Sequence, residues 1–168
     1  IRRDTMGNIF ARREGKSPGN APVLSGSHLD TQPAGGRFDG ILGVLGGLEV
    51  VRSLNDHGIE TVSPFEIVVW TNEEGARFPP SMMGSGVFAG IFEEDEIYKN
   101  KDPEGLTVGD ELRRTGQLGD VPCKVFPIKA YYELHIEQGP VLENENISIG
   151  VVTGGQGSVW THINLYGQ

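Results

Sequence analysis

The stretch Ser25–Asp39, SGSHLDTQPAGGRFD, constrains this chain more than any other. Within fifteen positions it carries a histidine, two aspartates and three glycines. An apolar run, Ala21–Leu24, enters it and a helix-like run, Gly40–Leu54, leaves it. A short apolar strand that delivers polar groups at its carboxyl end and then turns into a helix is the layout of an α/β sheet edge, where such folds bind ligands. His28 and Asp30 are two positions apart and share one face of an extended chain. Asp39 comes back after a loop in which Gly35 and Gly36 let the backbone fold. One imidazole and two carboxylates converging on a point suit a divalent metal ion.

The same layout recurs twice. Pro64–Thr71 (PFEIVVWT) reads as a buried strand and runs into Asn72, Glu73 and Glu74. Lys129–Ile136 reads as a third core strand and runs into His135, Glu137 and Gln138. The strongest helix is Phe38–His57, where Ile41, Val44, Leu45, Leu48 and Val51 fall on one face. Its Gly43, Gly46 and Gly47 each cost about 1 kcal/mol of helix propensity relative to alanine, so they point to close packing against a sheet. Gly58 suits a helix stop, and Asp39 lies at the helix start, where the dipole favours a carboxylate.

The remaining elements are read in order. A hairpin turns at Thr5–Asn8, and Glu14–Asn20 is loop. Gly84–Phe92 is a short helix or turn, and Glu93–Gly105 is charged and poorly periodic. Thr107–Thr115 is a helix with Thr107 as N-cap and Asp110 three positions on. Pro140–Asn144 is one helical turn and Ile147–Val152 a strand. Gly154, Gly155 and Gly157 read as a hinge after residues 1–155, and Val159–Tyr166 as a strand opening another domain within 156–168. Trp70 and Tyr131 are expected in the core. Strands alternating with helices give an α/β fold with a mixed, largely parallel sheet flanked by helices. A chain that opens at Ile1 and stops after an alternating run is expected to be a fragment, or the ordered part of a longer protein.

Three apolar strands that each end in acidic or imidazole groups, together with Asp39, make a polar pocket at one sheet edge. Gathering so many carboxylates is costly without a cation or shared protons. A dinuclear centre, with ions roughly 3.5–4 Å apart and a bridging carboxylate, accounts for the composition. Asp39 is placed to bridge, and His28 and His135 to ligate one ion. Asp30 is placed to accept the other ring N–H of His28. Glu73 and Glu74 point different ways on an extended segment, so one can ligate while the other serves as general base. Each residue alone has a plainer reading, the histidines as structural and the paired glutamates as a solvated turn. The metal case rests on the joint pattern. His57 and His162 read as non-catalytic, Asp56 and Glu60 as helix-end surface charge, and the run Glu93–Glu96 as a solvated face.

Bulk properties exclude other classes. A net charge of -9 and a pI near 4.9 argue against a nucleic-acid surface. No apolar run approaches the roughly 20 residues of a membrane span. The single cysteine, Cys123, allows no internal disulfide and fits a cytoplasmic setting.

At the metal-site residues the sequence resembles a known family. GSHLDTQPAGGRFDGILGVLGGLEVVRSL, VVWTNEEGARF and ELHIEQGPVLE are similar to the N-carbamoyl-amino-acid hydrolases, which include β-ureidopropionase (β-alanine synthase) and allantoate amidohydrolase. These are related to zinc aminoacylases and carboxypeptidases. The resemblance implies a zinc-exopeptidase-like catalytic domain and two divalent ions, zinc first, with manganese, cobalt or nickel as alternatives. It implies His28 and His135 on the first metal, Asp39 bridging, Glu74 on the second metal and Glu73 as general base. Asp30 is then the partner of the metal-bound histidine, and Gln138 contacts substrate. The implied reaction takes an N-carbamoyl amino acid, N-carbamoyl-β-alanine or an N-carbamoyl-L-amino acid, to amino acid, ammonia and carbon dioxide. The implied protein is a homodimer joined through a lid domain. The last metal ligand and the substrate-carboxylate contacts of the family fall beyond Gln168, so the 168-residue piece alone is expected to be inactive. Allantoate hydrolysis, dipeptidase or deacylase activity, and a non-catalytic product are the alternatives.

Overall fold

Two β-forming runs pair in parallel at the centre of the sheet. They are β3 (Val23–His28) and β4 (Phe65–Trp70), in register from Val23 opposite Phe65 to His28 opposite Trp70. The computed structural model describes residues 1–155, 157, 159, 161 and 163–167. The expected strand Val159–Tyr166 and the placing of His162 include residues outside that set.

The hairpin β1 (Arg2–Arg3) and β2 (Ile9–Arg13) adds antiparallel to β4, and β5 (Ala130–Tyr132) adds parallel to β3. The result is a five-stranded mixed sheet of order β1-β2-β4-β3-β5. Its parallel part is β4-β3-β5, the part that carries the site.

The connection from β3 to β4 is α1 (Ile41–Asp56). Its contact face is a glycine ridge rather than the apolar stripe the periodicity marks. Gly43 and Gly47 are buried, whereas Ile41, Leu45 and Leu48 are 37–52% exposed. A Cβ on Gly43 would lie 2.7 Å from Ser27 Cβ, and one on Gly47 3.4 Å from Ile67. Periodicity locates an apolar stripe but not the side that approaches the sheet, and the glycines set that side by allowing close contact. The helix ends in a Schellman arrangement: Gly58, at φ 62°, donates to Asn55 O, and Ile59 donates to Leu54 O.

On the other face, Phe10, Leu24, Val68 and Trp70 pack with Phe88 of α2 (Met83–Phe88). A second cluster joins Met6, Phe78, Met83, Val87, Ile97, Val108 and Leu112. Ile97 and the pair Val108 and Leu112 come from α3 (Glu94–Ile97) and α4 (Val108–Arg114). The Thr107 cap holds, with its hydroxyl accepting the Asp110 N–H at 3.1 Å.

Two strand expectations need correction. Only Ala130–Tyr132 of Lys129–Ile136 pairs, and it forms an edge, with Tyr131 39% and Tyr132 65% exposed. Tyr131 is therefore not a core residue, although its hydroxyl is engaged by the Trp70 ring N–H at 3.1 Å. Ile147–Val152 forms no strand, and Ile149, Val151 and Val152 are exposed. Alternating β-branched residues make a strand only where a partner supplies hydrogen bonds, and none of the described residues does so here. Within the described residues no helix is long and apolar enough to cross a membrane.

The chain divides into two units, Ile1–Ile136 and Glu137–Gln168. The second carries α5 (Val141–Asn144), the expected single turn, whose Val141 and Leu142 N–H groups donate to the Glu137 carboxylate. Gln138 lies in this unit at φ 56°.

Candidate metal centre

β3 ends at His28, which is 2% exposed. Its Nδ1 lies 2.8 Å from the Asp30 main-chain oxygen. A carbonyl can only accept, so the hydrogen is on Nδ1 and the lone pair available to a cation is on Nε2. The sequence reading gave this hydrogen to the Asp30 carboxylate, which lies farther off, at 3.8 Å. That carboxylate does another job. Its two oxygens accept the main-chain N–H groups of Glu73 at 3.1 Å and Glu74 at 3.0 Å, tying the end of β4 to the end of β3.

Gly40 explains how Asp39 reaches the histidine. At φ 71° it takes a conformation open to glycine, and a Cβ there would lie 2.4 Å from the His28 ring. The turn therefore presses its backbone on the imidazole and brings Asp39 Oδ1 to 4.0 Å from His28 Nε2. Asp39 precedes the helix N-cap, Gly40, and is not within the first turn of α1. His135, just past β5, repeats the His28 pattern. Its Nδ1 lies 2.9 Å from Ile136 O, and its Nε2 lies 3.2 Å from Asp39 Oδ1.

The donor atoms of His28, Asp39 and His135 all lie within 4.8 Å of one another. Donors on one tetrahedral ion at 2.0–2.1 Å are roughly 3.3 Å apart, so small side-chain movements convert this cluster into a coordination sphere. Two imidazoles and a carboxylate form a donor set suited to zinc and its neighbours. Glu74 does not join that cluster. Its Oε2 accepts from Gln32 Nε2 at 3.0 Å, while Oε1 is buried with no hydrogen-bond partner among the described residues. An unpartnered buried carboxylate oxygen fits a metal ligand better than a structural residue.

Glu73 Oε2 lies 3.6 Å from His28 Nε2. Burial pushes its carboxyl above the usual range. The nearby His28 opposes this, and Glu74, Asp30 and Glu133 add to it. Glu133 went unread in the sequence. It accepts the hydroxyls of buried Ser27 at 2.5 Å and of Tyr131 at 2.8 Å. The alternation of Glu133, His135 and Glu137 held the signal for it, because Glu133 falls two positions before a candidate ligand, as Asp30 falls two after one. Gln32 was also missed, and nothing local marks it.

A family model described as Peptidase family M20/M25/M40 matches residues 24–165. The chain is 56% identical over 165 residues to an N-carbamoyl-L-amino-acid amidohydrolase of Rhizobium meliloti, a match covering 98% of this chain and 40% of that protein. It is 44% identical over 168 residues to an N-carbamoyl-L-amino acid amidohydrolase of Geobacillus stearothermophilus, covering 98% and 41%. A solved hydantoinase/carbamoylase family amidase from Burkholderia multivorans aligns with a TM-score of 0.85 at 62% identity, over 87% of this chain and 36% of that one. The chain thus spans about 40% of the length of these curated relatives.

Proposed function

The chain belongs to peptidase family M20/M25/M40, and on that premise we propose that the protein is a metal-dependent amidohydrolase acting on N-carbamoyl amino acids, the L-amino acid derivatives first. The observation that carries the hydrolase reading is the cluster of His28, Asp39 and His135 with Glu73 at 3.6 Å from His28 Nε2. The names of the relatives support the substrate class.

In this reading His28, Asp39 and His135 would hold one ion, and Glu74, with Asp39, would hold a second. Zinc suits these donors, and manganese, cobalt or nickel accept them too. When bound, the ions supply Lewis-acid polarisation of the scissile carbonyl. Glu73 takes a proton from the attacking water and returns it to the leaving nitrogen. One water and one N-carbamoyl amino acid give the free amino acid, carbon dioxide and ammonia. Asp30 keeps Glu73 in place by holding its N–H, and Gln138 contacts substrate. The resemblance of the motifs adds a homodimer to this reading.

The test is metal content and turnover of the longest chain the gene encodes. We expect two ions per chain, fewer in His135→Ala, and faster hydrolysis of an N-carbamoyl-L-amino acid than of N-carbamoyl-β-alanine, allantoate, a dipeptide or an N-acetyl amino acid. Preference for the dipeptide overturns the substrate class. Absence of stoichiometric metal overturns the mechanism.

A further inference from the structure

We propose that Gln32 is a positioning residue for the second metal position, turning the Glu74 carboxylate so that Oε1 alone faces an incoming divalent cation. The inference rests on the reading of Glu74 as a ligand. Gln32 Nε2 lies 3.0 Å from Glu74 Oε2 and 3.3 Å from the Glu74 main-chain oxygen. Both are acceptors, so the amide nitrogen, with its two hydrogens, is the atom that must face them. One side chain therefore ties the carboxylate to its own backbone.

That backbone is fixed independently by Asp30, which accepts the Glu74 N–H at 3.0 Å. Positions 30 and 32 of one loop thus satisfy the N–H, the C=O and one carboxylate oxygen of Glu74. Only Oε1 is left, buried and without a hydrogen-bond partner among the described residues. Nor does Glu74 form an ion pair with lysine or arginine among those residues. A secluded anionic oxygen with no donor is costly by itself and suited to a cation. Gln32 is exposed, so core packing does not account for its placement. Hydrogen bonds to ligating carboxylates commonly set metal affinity, and their loss costs 10–100-fold.

The test is a chelator titration of the zinc-loaded longest chain the gene encodes, comparing wild type, Gln32→Ala, Gln32→Met and Glu74→Ala. Methionine keeps the length of the side chain and removes its donors. Both Gln32 variants are expected to release one ion at about 10–100-fold lower chelator, with the other ion at its wild-type position. The unfolding midpoint of their metal-free forms should stay at the wild-type value, and Glu74→Ala should lose the same ion outright. Wild-type release in the Gln32 variants, with one ion lost in Glu74→Ala, overturns the positioning role and leaves the ligand reading standing. Two ions retained in Glu74→Ala overturns both. A lowered midpoint in both metal-free Gln32 variants also overturns the inference, in favour of a general structural role.

Discussion

Around α4, Glu111 is 6% exposed, with Arg114 at 2.6 and 2.8 Å and Arg77 at 2.8 Å. These two arginines hold its carboxyl down to about 2. For Asp102, burial pushes the carboxyl up, but Arg77 and the N–H groups of Leu106 and Glu104 outweigh it, and the group titrates below its usual range. At the strand ends, Glu73 and Glu74 crowd near His28 and Asp30 with no arginine or lysine ion pair among the described residues, and burial pushes Glu73 up. Both places gather carboxylates. The difference is whether the chain supplies its own cation. Where it does, the charges brace a loop against a helix. Where it does not, the carboxylates stay uncompensated by the chain, a pattern that suits a cation from outside and is expected of a functional cluster.

Four experiments break or sharpen that contrast. Glu73→Gln should lower kcat by about 10²–10⁴-fold, the worth of a positioned base, with metal content unchanged. Because it removes a half-buried charge with no arginine or lysine ion pair among the described residues, it should also raise the unfolding midpoint of the metal-free protein. A near-normal kcat would remove Glu73 from the reaction. Next in size is Gly40→Ala. It sets a side chain at φ 71° and presses it into the His28 ring, costing about 1–3 kcal/mol from the backbone alone. Calorimetry should show the lowered stability, and metal analysis the loss of ion from the displaced histidine.

Arg77→Ala tests the other cluster. It removes charge-assisted hydrogen bonds to Asp102 and Glu111. Because the Arg77 side chain is 46% exposed and solvent screens it, we expect only a small fall of the urea unfolding midpoint. Metal content should hold, and a parallel loss of metal would show that the two clusters are not independent. The smallest effect is in pH. The lowered carboxyl of Glu111 contributes stability fully above its ordinary value of 4.5 and loses it as pH falls toward about 2. Between about pH 5 and pH 3, the unfolding midpoint of wild type should therefore fall more steeply than that of Glu111→Gln. Equal slopes would mean that the arginines do not set the titration.

The residue types at the three strand ends, the helix stop at Gly58, the Thr107 cap and the hairpin at Thr5–Asn8 were legible in the chain itself. Each rests on short-range physics: side-chain periodicity, positive φ at glycine, and a hydroxyl reaching an N–H three positions on. Tertiary structure decided the rest. The close packing of the α1 glycines on the sheet was also readable in the chain, but that Ile41, Leu45 and Leu48 would stay exposed beside them was not, nor that β5 would be an edge. The fold gave the His28 ring hydrogen to a carbonyl and freed the Asp30 carboxylate to hold two N–H groups of the next strand's loop. It brought Gln32 to Glu74 across 42 positions and Glu133 to Ser27 across 106. No local pattern encodes contacts at such separations. They depend on which strands become neighbours, and the parallel pairing of β3 with β4 and β5 settles that for the whole site.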